Sequence, residues 1–170
     1  MSSPAVKQVS TSPRGAQNPI SIVFARYVES ATHRGKAPQS LSEYGLQIDR
    51  LIEVIGDIDV TEVTRGHIST LRDTLLQLPK SKAAEIRGKS IEEQIELAKA
   101  KQLDRISPST VDNCLRKTSS VFGYAFELGL IDVNPHKGVS KAATQKRTEF
   151  EAGKGYTETE IALLFKNDLL

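Results

Sequence analysis

The sequence predicts an all-α protein, and three features of its 170 residues support this prediction. Apolar residues recur at spacings of three and four along successive segments, as they do on one face of a helix. The turns between these segments carry Gly, Pro and helix-capping residues. No segment alternates apolar and polar residues in the manner of a half-buried strand. Because only 5% of the residues are aromatic and Trp is absent, we expect a mostly aliphatic core.

The first two helices are predicted after an N-terminal tail. Residues 1–18 are rich in Ser, Pro and Gln, a composition typical of a disordered tail or linker. From Ile20 onward, apolar residues at helical spacing predict a helix that stops at the HRGKAP turn. The next helix is predicted to have Ser40 as its N-cap and to end at Gly56.

The third helix is followed by a charged insertion. Thr64 is the predicted N-cap of the third helix, which Pro79 terminates. Residues 80–106 carry many charges, few apolar residues and one capping box, formed by Ser90 and Glu93. These features predict a helical insertion at the periphery of the domain.

The last helix of the predicted domain lies in the segment SPSTVDNCLRKTSSVFGYAFELGLIDVNP. Ser107 is its predicted N-cap, Pro108 takes the first helical position, and Gly129 closes the helix. Helical spacing also predicts its buried face, which consists of Val111, Leu115, Thr118, Phe122 and Ala125.

Residues 136–170 are predicted to lead out of this domain. The stretch 136–155 is basic and contains Ala, Thr and Gly, as expected of an interdomain linker. A capping box of Thr157 and Glu160 then begins a helix whose apolar residues lack a packing partner of their own. We therefore expect residues 156–170 to be the first helix of a truncated further domain.

The sequence predicts no enzyme motif, cofactor or metal site. It contains no Gly-rich phosphate loop, His-Glu-x-x-His, Cys-x-x-Cys or Gly-x-Ser-x-Gly. His33, His67 and His136 lie far apart in the sequence, so we expect them to be solvated or to cap helices. The single cysteine, Cys114, excludes an internal disulfide and suits a reducing compartment. No apolar run approaches the roughly 18 residues that cross a bilayer, so we expect a cytoplasmic protein without membrane contact.

The outward face of the last helix is the candidate binding surface. Thr110, Asn113, Arg116 and Lys117 lie opposite the buried face. Side chains of these types contact phosphates and base edges in DNA complexes. The net charge is +2, and residues 107–147 hold six Lys or Arg but only three Asp or Glu. The same pattern also fits a solvated helix face or a protein-interaction surface, so these alternatives remain open.

In the order of its elements the sequence resembles the core-binding domain of tyrosine recombinases, the phage integrase family. The resemblance is carried by the last helix with its Asn-Pro exit, by SLSEYGLQIDRLIEVIGDIDVTEVTRGHISTLRDTL before it and by YTETEIALLF after it. It implies that residues 19–135 form a four-helix SAM-like bundle that clamps double-stranded DNA for integration and recombination. It also implies a C-terminal catalytic domain, whose His-x-x-Arg segment this sequence lacks. The insertion at 80–106 departs from the family's pattern.

The resemblance implies that two helices and the linker face the DNA. The implied DNA-facing residues are Ser42, Gln47 and Arg50 on the second helix, Thr110, Asn113, Arg116 and Lys117 on the last helix, and Lys141, Lys146 and Arg147 in the linker. Glu43 suits this face less well, because its charge repels phosphate.

The resemblance further implies a bacterial or prophage-encoded protein that catalyses nothing without its catalytic domain and self-associates only on DNA. A helical protein-interaction module without DNA binding is the alternative. A regulatory helix-turn-helix protein is disfavoured, because the short turn between two adjacent helices is missing.

Overall fold

The computed structural model describes residues 17–80 and 85–142. These ranges form five α-helices, which are α1 (Ile20–His33), α2 (Pro38–Ile55), α3 (Arg65–Leu75), α4 (Ile91–Ala100) and α5 (Pro108–Glu127). Within the same ranges no strand forms, and extended pairing is limited to isolated antiparallel bridges. The prediction of an all-α fold is confirmed. None of the described helices is both long enough and apolar enough to span a membrane.

Three of the predicted N-caps are in place. The side-chain oxygen of Thr64 accepts a hydrogen bond from the backbone N–H of His67 at 3.3 Å, and Nδ1 of His67 accepts one from the N–H of Thr64 at 3.2 Å. Ser90 and Glu93 form the same reciprocal box at the start of α4. Ser107 caps α5, and Gly129, at φ 70°, follows its end. Each cap satisfies amides that have no partner within the helix.

The predicted N-cap of α2 is wrong by three residues. The helix has Ala37 as its N-cap and Pro38 at its first position, so Ser40 lies inside the first turn. Proline is favoured at the first helical position, because its fixed φ suits the helix and its missing N–H is not needed there. Gly56, at φ 87°, ends α2 as predicted.

The start of α1 is capped by a distant segment. The N–H and Oγ of Ser21 donate to the carboxylate of Asp57 at 2.9 and 2.5 Å, and the N–H of Ile20 donates to the carbonyl of Ile58 at 3.1 Å. The turn after α2 therefore supplies the acceptors that Pro19, the N-cap residue, cannot supply with its own side chain.

Helices α1, α2, α3 and α5 pack against one another around one core. The core is mostly aliphatic, as predicted, and all five residues of the predicted buried face of α5 are buried. The largest fully buried side chains are Ile20, Val23, Ile48, Leu51, Val60, Ile68, Leu71, Leu75, Leu78, Val111, Val121 and Phe122.

The insertion forms α4 and is tied to the bundle at three points. At its base, the N–H of Ile106 donates to the carbonyl of Leu78 at 3.0 Å. At the start of α4, the N–H of Ile91 donates to the carboxylate of Glu53 on α2. The side chain of Ile91 is 6% exposed and belongs to the core. The insertion is therefore less peripheral at Ile91 than its composition predicts.

The first residues of the predicted linker pack on the bundle. Arg72 donates from Nη1 to the carbonyl of Ser140 at 3.0 Å, and the N–H of Ala142 donates to Asp112 at 2.8 Å. Ala142 is 1% exposed. Residues 136–142 thus belong to the folded unit, which extends past the predicted boundary at 135. The rest of the predicted linker, the predicted helix within 156–170 and residues 1–16 of the predicted tail lie outside the described residues.

Candidate nucleic-acid interface

The outward face of α5 is polar and carries one exposed cation. Thr110, Asn113 and Arg116 are exposed, as predicted, while the opposite side of the helix is buried. The hydroxyl of Thr110 lies 2.8 Å from the Oγ of Ser107, so the first turn of the helix is locked by two hydroxyl groups. The exposed side chains are therefore presented on a rigid helix rather than on a loop.

Lys117 is held by an acidic partner. Its Nζ lies 2.6 Å from a carboxylate oxygen of Glu43 on α2, and only 18% of its side chain is exposed. The sequence predicted Lys117 as a solvent-facing cation, whereas the structure half buries it in an ion pair between two helices. Its charge is partly neutralised by Glu43.

The three predicted DNA-facing residues of α2 differ in their exposure to solvent. Ser42 is exposed and donates from Oγ to the carbonyl of Pro38 at 3.1 Å. Arg50 is half-buried and donates to Oε1 of Gln47 at 3.2 Å. Gln47 itself is 5% exposed, so its predicted outward orientation is wrong. It lies one helical turn from both Tyr44 and Leu51, on the side of α2 that packs against the bundle.

The exposed side of α2 is acidic beyond its first turns. Glu43, Asp49 and Glu53 are all exposed there, and Leu46 is 51% exposed between them. Carboxylates repel phosphate, so this part of α2 suits a DNA backbone poorly. The favourable face is that of α5.

An aromatic cluster with a lysine lies beside α5 and was not predicted. The ring of Tyr27 is 5.6 Å from that of Tyr44 and 5.8 Å from that of Tyr124. Nζ of Lys36 donates to the hydroxyl of Tyr27 at 2.9 Å and sits 3.9 Å from the centre of the Tyr44 ring. Burial opposes the charge of Lys36, but the tyrosine oxygens outweigh it and raise the pKa of Lys36 above its usual value. The same contact lowers the pKa of Tyr44, because the hydrogen bond from Lys36 favours the ionised phenolate.

Two cavities open along the exposed side of α5. The first, which we call the α1 cavity, has a volume of about 590 Å³ and lies between the end of α1 and the C-terminal half of α5. Its lining includes Arg34, Lys36, Ser120, Tyr124 and Glu127. Both cations of this cavity, Arg34 and Lys36, come from the HRGKAP turn. In the sequence they can be found as two basic residues on either side of a turn glycine.

The second cavity, which we call the connector cavity, lies between the N-terminal half of α5 and the segment 136–141. Its volume is about 370 Å³, and the polar side chains that line it include Ser109, Asp112, Arg116, Ser119, His136 and Lys141. Arg116 and Lys141, which are far apart in the sequence, are thus brought to one site. Lys146 and Arg147 lie outside the described residues.

The remaining candidate chemical groups have structural roles. His67 caps α3, and the ring of His136 packs against Phe122 at 5.7 Å, where burial lowers its pKa to about 4. Nε2 of His136 is buried and has no hydrogen-bond partner among the described residues. Burial raises the pKa of the Cys114 thiol, which makes it a poor nucleophile. No cluster of three or more metal-ligating side chains occurs in residues 17–80 and 85–142.

The comparisons with known proteins found no matching family model, no matching curated protein and no matching solved structure. The candidate interface is therefore defined by the geometry of α5 and its neighbours alone.

Proposed function

We propose that this chain is the DNA-binding core-binding domain of a site-specific tyrosine recombinase, with a SAM-like four-helix bundle formed by α1, α2, α3 and α5. The resemblance in the order of elements supports this proposal, and so does the packing of four helices around one core with α4 as an insertion. In this proposal the domain clamps duplex DNA, and self-association occurs only on DNA in a longer bacterial or prophage-encoded protein that works in the cytoplasm.

One observation carries the proposal. The exposed residues in the N-terminal half of α5 form a polar stripe that consists of Ser109, Thr110, Asn113 and Arg116. Further cations lie near it: Lys141 at the connector cavity, and Lys36 with Arg34 at the α1 cavity. Asp112 and Glu127 also line these cavities, so four cations from three segments of the chain stand against two carboxylates. A phosphate backbone attracts such a pattern.

The side chains on the stripe suit contacts with both bases and backbone. Arginine binds guanine edges or phosphate, and asparagine pairs with adenine, so Arg116 and Asn113 are the candidates for reading sequence. The amides at the N-terminus of α5, with Thr110, suit a phosphate oxygen. Helix α2 contributes Ser42 near its start, because the carboxylates further along its exposed side repel the backbone.

The proposed role of this chain is binding without catalysis. The sequence contains no His-x-x-Arg, and its four tyrosines fall in the segments that resemble the core-binding domain and the entry to the catalytic domain: Tyr27, Tyr44, Tyr124 and Tyr156. We expect no covalent protein–DNA adduct on a suicide substrate, which traps such adducts when they form. Appearance of an adduct would overturn this part of the proposal.

The proposal is tested by titrating the protein with duplex DNA over a range of salt concentrations. Binding should be weak and should fall steeply as salt rises, because each phosphate that a cation neutralises releases counterions. Absence of binding to any duplex at low salt, including a recombination site of the parent protein, would refute the proposal.

A protein-interaction module is the second candidate, because apolar side chains are exposed after the middle of α5. Phe126, Leu128 and Val133 are 53%, 46% and 61% exposed. Replacing Phe126 and Val133 with Ser tests this alternative: a change in self-association measured by sedimentation, with DNA binding intact, would favour an interaction surface at this end of the helix.

A further inference from the structure

The α1 cavity is built around a cation whose position is fixed. Lys36 is held from two sides, by the hydroxyl of Tyr27 and by the ring of Tyr44. A lysine on a surface usually samples many rotamers and loses that freedom when it binds a ligand. Since Lys36 is already held, an anion that meets it requires less ordering of the side chain.

The rest of the lining supplies a second cation and two hydroxyl groups. Arg34 is exposed at the C-cap of α1, and Ser120 and Tyr124 face the same space from α5. The one carboxylate in the lining is Glu127, at the end of α5. The Ser120 hydroxyl already donates to the carbonyl of Arg116 at 3.0 Å, so the two cations are the groups that suit an oxyanion such as phosphate.

The cavity also lies on the same face of α5 as the proposed base-reading residues. Residues at spacings of three and four connect Arg116, Ser120 and Gly123 along one side of the helix. Gly123, which lines the cavity, is seven residues from Arg116, which is roughly 10 Å along the helix axis. This distance is comparable to the width of the major groove, about 12 Å, so one duplex reaches both places.

We propose that the α1 cavity is a phosphate-binding site that holds a backbone phosphate of duplex DNA between Arg34 and Lys36. This inference rests on the proposed function, and it adds a contact that the polar stripe of α5 does not itself contain. It assigns the HRGKAP turn to the DNA interface. The cavity is open to solvent, which suits a phosphate in a polymer better than a small enclosed ligand.

The test compares Arg34→Gln with Lys99→Gln, a matched removal of one exposed charge on α4, away from α1 and α5. Affinity for a labelled duplex is measured by fluorescence anisotropy between about 50 and about 200 mM salt. Loss of one phosphate contact makes the fall of log affinity with log salt less steep by about 0.9. Between the two salt concentrations, the drop in affinity of Arg34→Gln should therefore be roughly 3.5-fold smaller than that of the unmodified protein. The slope for Lys99→Gln should equal that of the unmodified protein.

A Lys36→Gln variant provides a second measurement, with thermal unfolding to confirm that it folds. If Lys36 only packs against the tyrosine rings, this variant should be less stable than the unmodified protein. Its salt slope should then be unchanged after the affinity is corrected for the fraction of folded protein. If Lys36 holds a phosphate, the slope falls in the folded variant. An unchanged slope in both Arg34→Gln and Lys36→Gln, with the unmodified protein still binding DNA, would overturn this inference and leave the proposed function standing.

Free phosphate is distinguished from backbone phosphate by titrating inorganic phosphate and following the amide NMR signals of Gly35 and Gly123. Backbone phosphate as the ligand predicts that DNA shifts both signals at the concentrations at which it binds the protein, and that inorganic phosphate does so only at far higher concentration. Shifts with inorganic phosphate at micromolar concentration, and none with DNA, would overturn the assignment to DNA. Failure of the unmodified protein to bind any duplex would instead refute the proposed function itself.

Discussion

The ammonium group of Lys117 lies 2.6 Å from a carboxylate oxygen of Glu43, and this ion pair joins α5 to α2. The two partners differ in exposure: 18% of the Lys117 side chain reaches solvent, against 57% for Glu43. The carboxylate therefore covers the cation on the very face that is proposed to meet DNA. The pair reduces the positive potential of the stripe.

Replacing Glu43 with Gln should strengthen DNA binding. The substitution removes a negative charge from the interface and releases Lys117 to meet a phosphate, so affinity should rise several-fold at low salt and the salt slope should become steeper by about 0.9. Thermal stability should change by less than about 1 kcal/mol, since partly exposed ion pairs contribute little. Anisotropy and thermal unfolding measure the two effects.

Glu92→Gln is the matched control, because Glu92 is an exposed carboxylate at the start of α4. It changes the net charge by the same amount at a distance from α5. An equal gain in affinity from both variants would show that only net charge matters, and it would contradict a specific interface around Lys117.

The local features of the fold followed from the sequence because they depend on close neighbours in the chain. Thr64, Ser90 and Ser107 each accept from an amide three residues later, a relationship that spacing alone reveals. The buried face of α5 was also predictable, because a single apolar stripe faces the core.

The predictions failed for residues whose contacts come from several helices at once. Helix α2 packs against α1, α3 and α5, so its buried side is wider than its apolar stripe and includes Gln47. The pairing of Lys117 with Glu43 joins residues 74 positions apart, and no spacing rule connects them. The same holds for the meeting of Tyr124 with Tyr27 in the aromatic cluster.

The stability of the domain should fall between pH 6.5 and pH 4 because of His136. Burial lowers the pKa of His136 to about 4, whereas an exposed histidine in the unfolded chain has a pKa of about 6.5. The unfolded chain therefore binds a proton first as the pH falls, and the stability present above about pH 6.5 is lost progressively, by roughly 3 kcal/mol once the pH reaches about 4. Urea unfolding at a series of pH values measures this loss.

His136→Leu should remove most of this pH dependence between pH 7 and pH 5, where most carboxylates stay charged. His33→Gln, which changes an exposed histidine at the end of α1, serves as the comparison and should leave the dependence unchanged. If His136→Leu retains the full pH dependence of stability, protonation of a group other than His136 causes the loss of stability.

Replacing residues 82–102 with a short Gly/Ser turn should leave a cooperatively folding domain of lower stability. The two ends of the insertion are already paired, since the N–H of Lys80 donates to the carbonyl of Asp104 at 2.5 Å. The loss should be close to that of the single substitution Ile91→Ala, about 2 to 4 kcal/mol, because Ile91 is the residue that the described part of the insertion places in the main core, with Ile95 partly buried against it. Circular dichroism during urea unfolding measures both variants. A broad, non-cooperative transition in the shortened protein would show that α4 is needed for the bundle to form.

Phe122 and Arg116 lie on opposite sides of α5, and their substitutions should separate folding from binding. Phe122 is 1% exposed in the core, so Phe122→Ala should cost about 3 to 5 kcal/mol through lost burial and the cavity left behind. Any effect of this variant on DNA affinity should disappear once the unfolded fraction is accounted for. Arg116 is exposed, so Arg116→Ala should change stability by less than about 0.5 kcal/mol and should weaken DNA binding.

The way in which Arg116→Ala weakens binding identifies its target. If Arg116 reads a base, its loss should reduce discrimination at one position of the site by about 1 to 3 kcal/mol, while affinity for other sequences changes little. If it contacts phosphate, affinity should fall equally on all duplexes and the salt slope should decrease by about 1. Competition binding with a set of single-position variants of the DNA site distinguishes the two results. Unchanged affinity in a fully folded Arg116→Ala protein would assign this side of α5 to solvent and remove it from the interface.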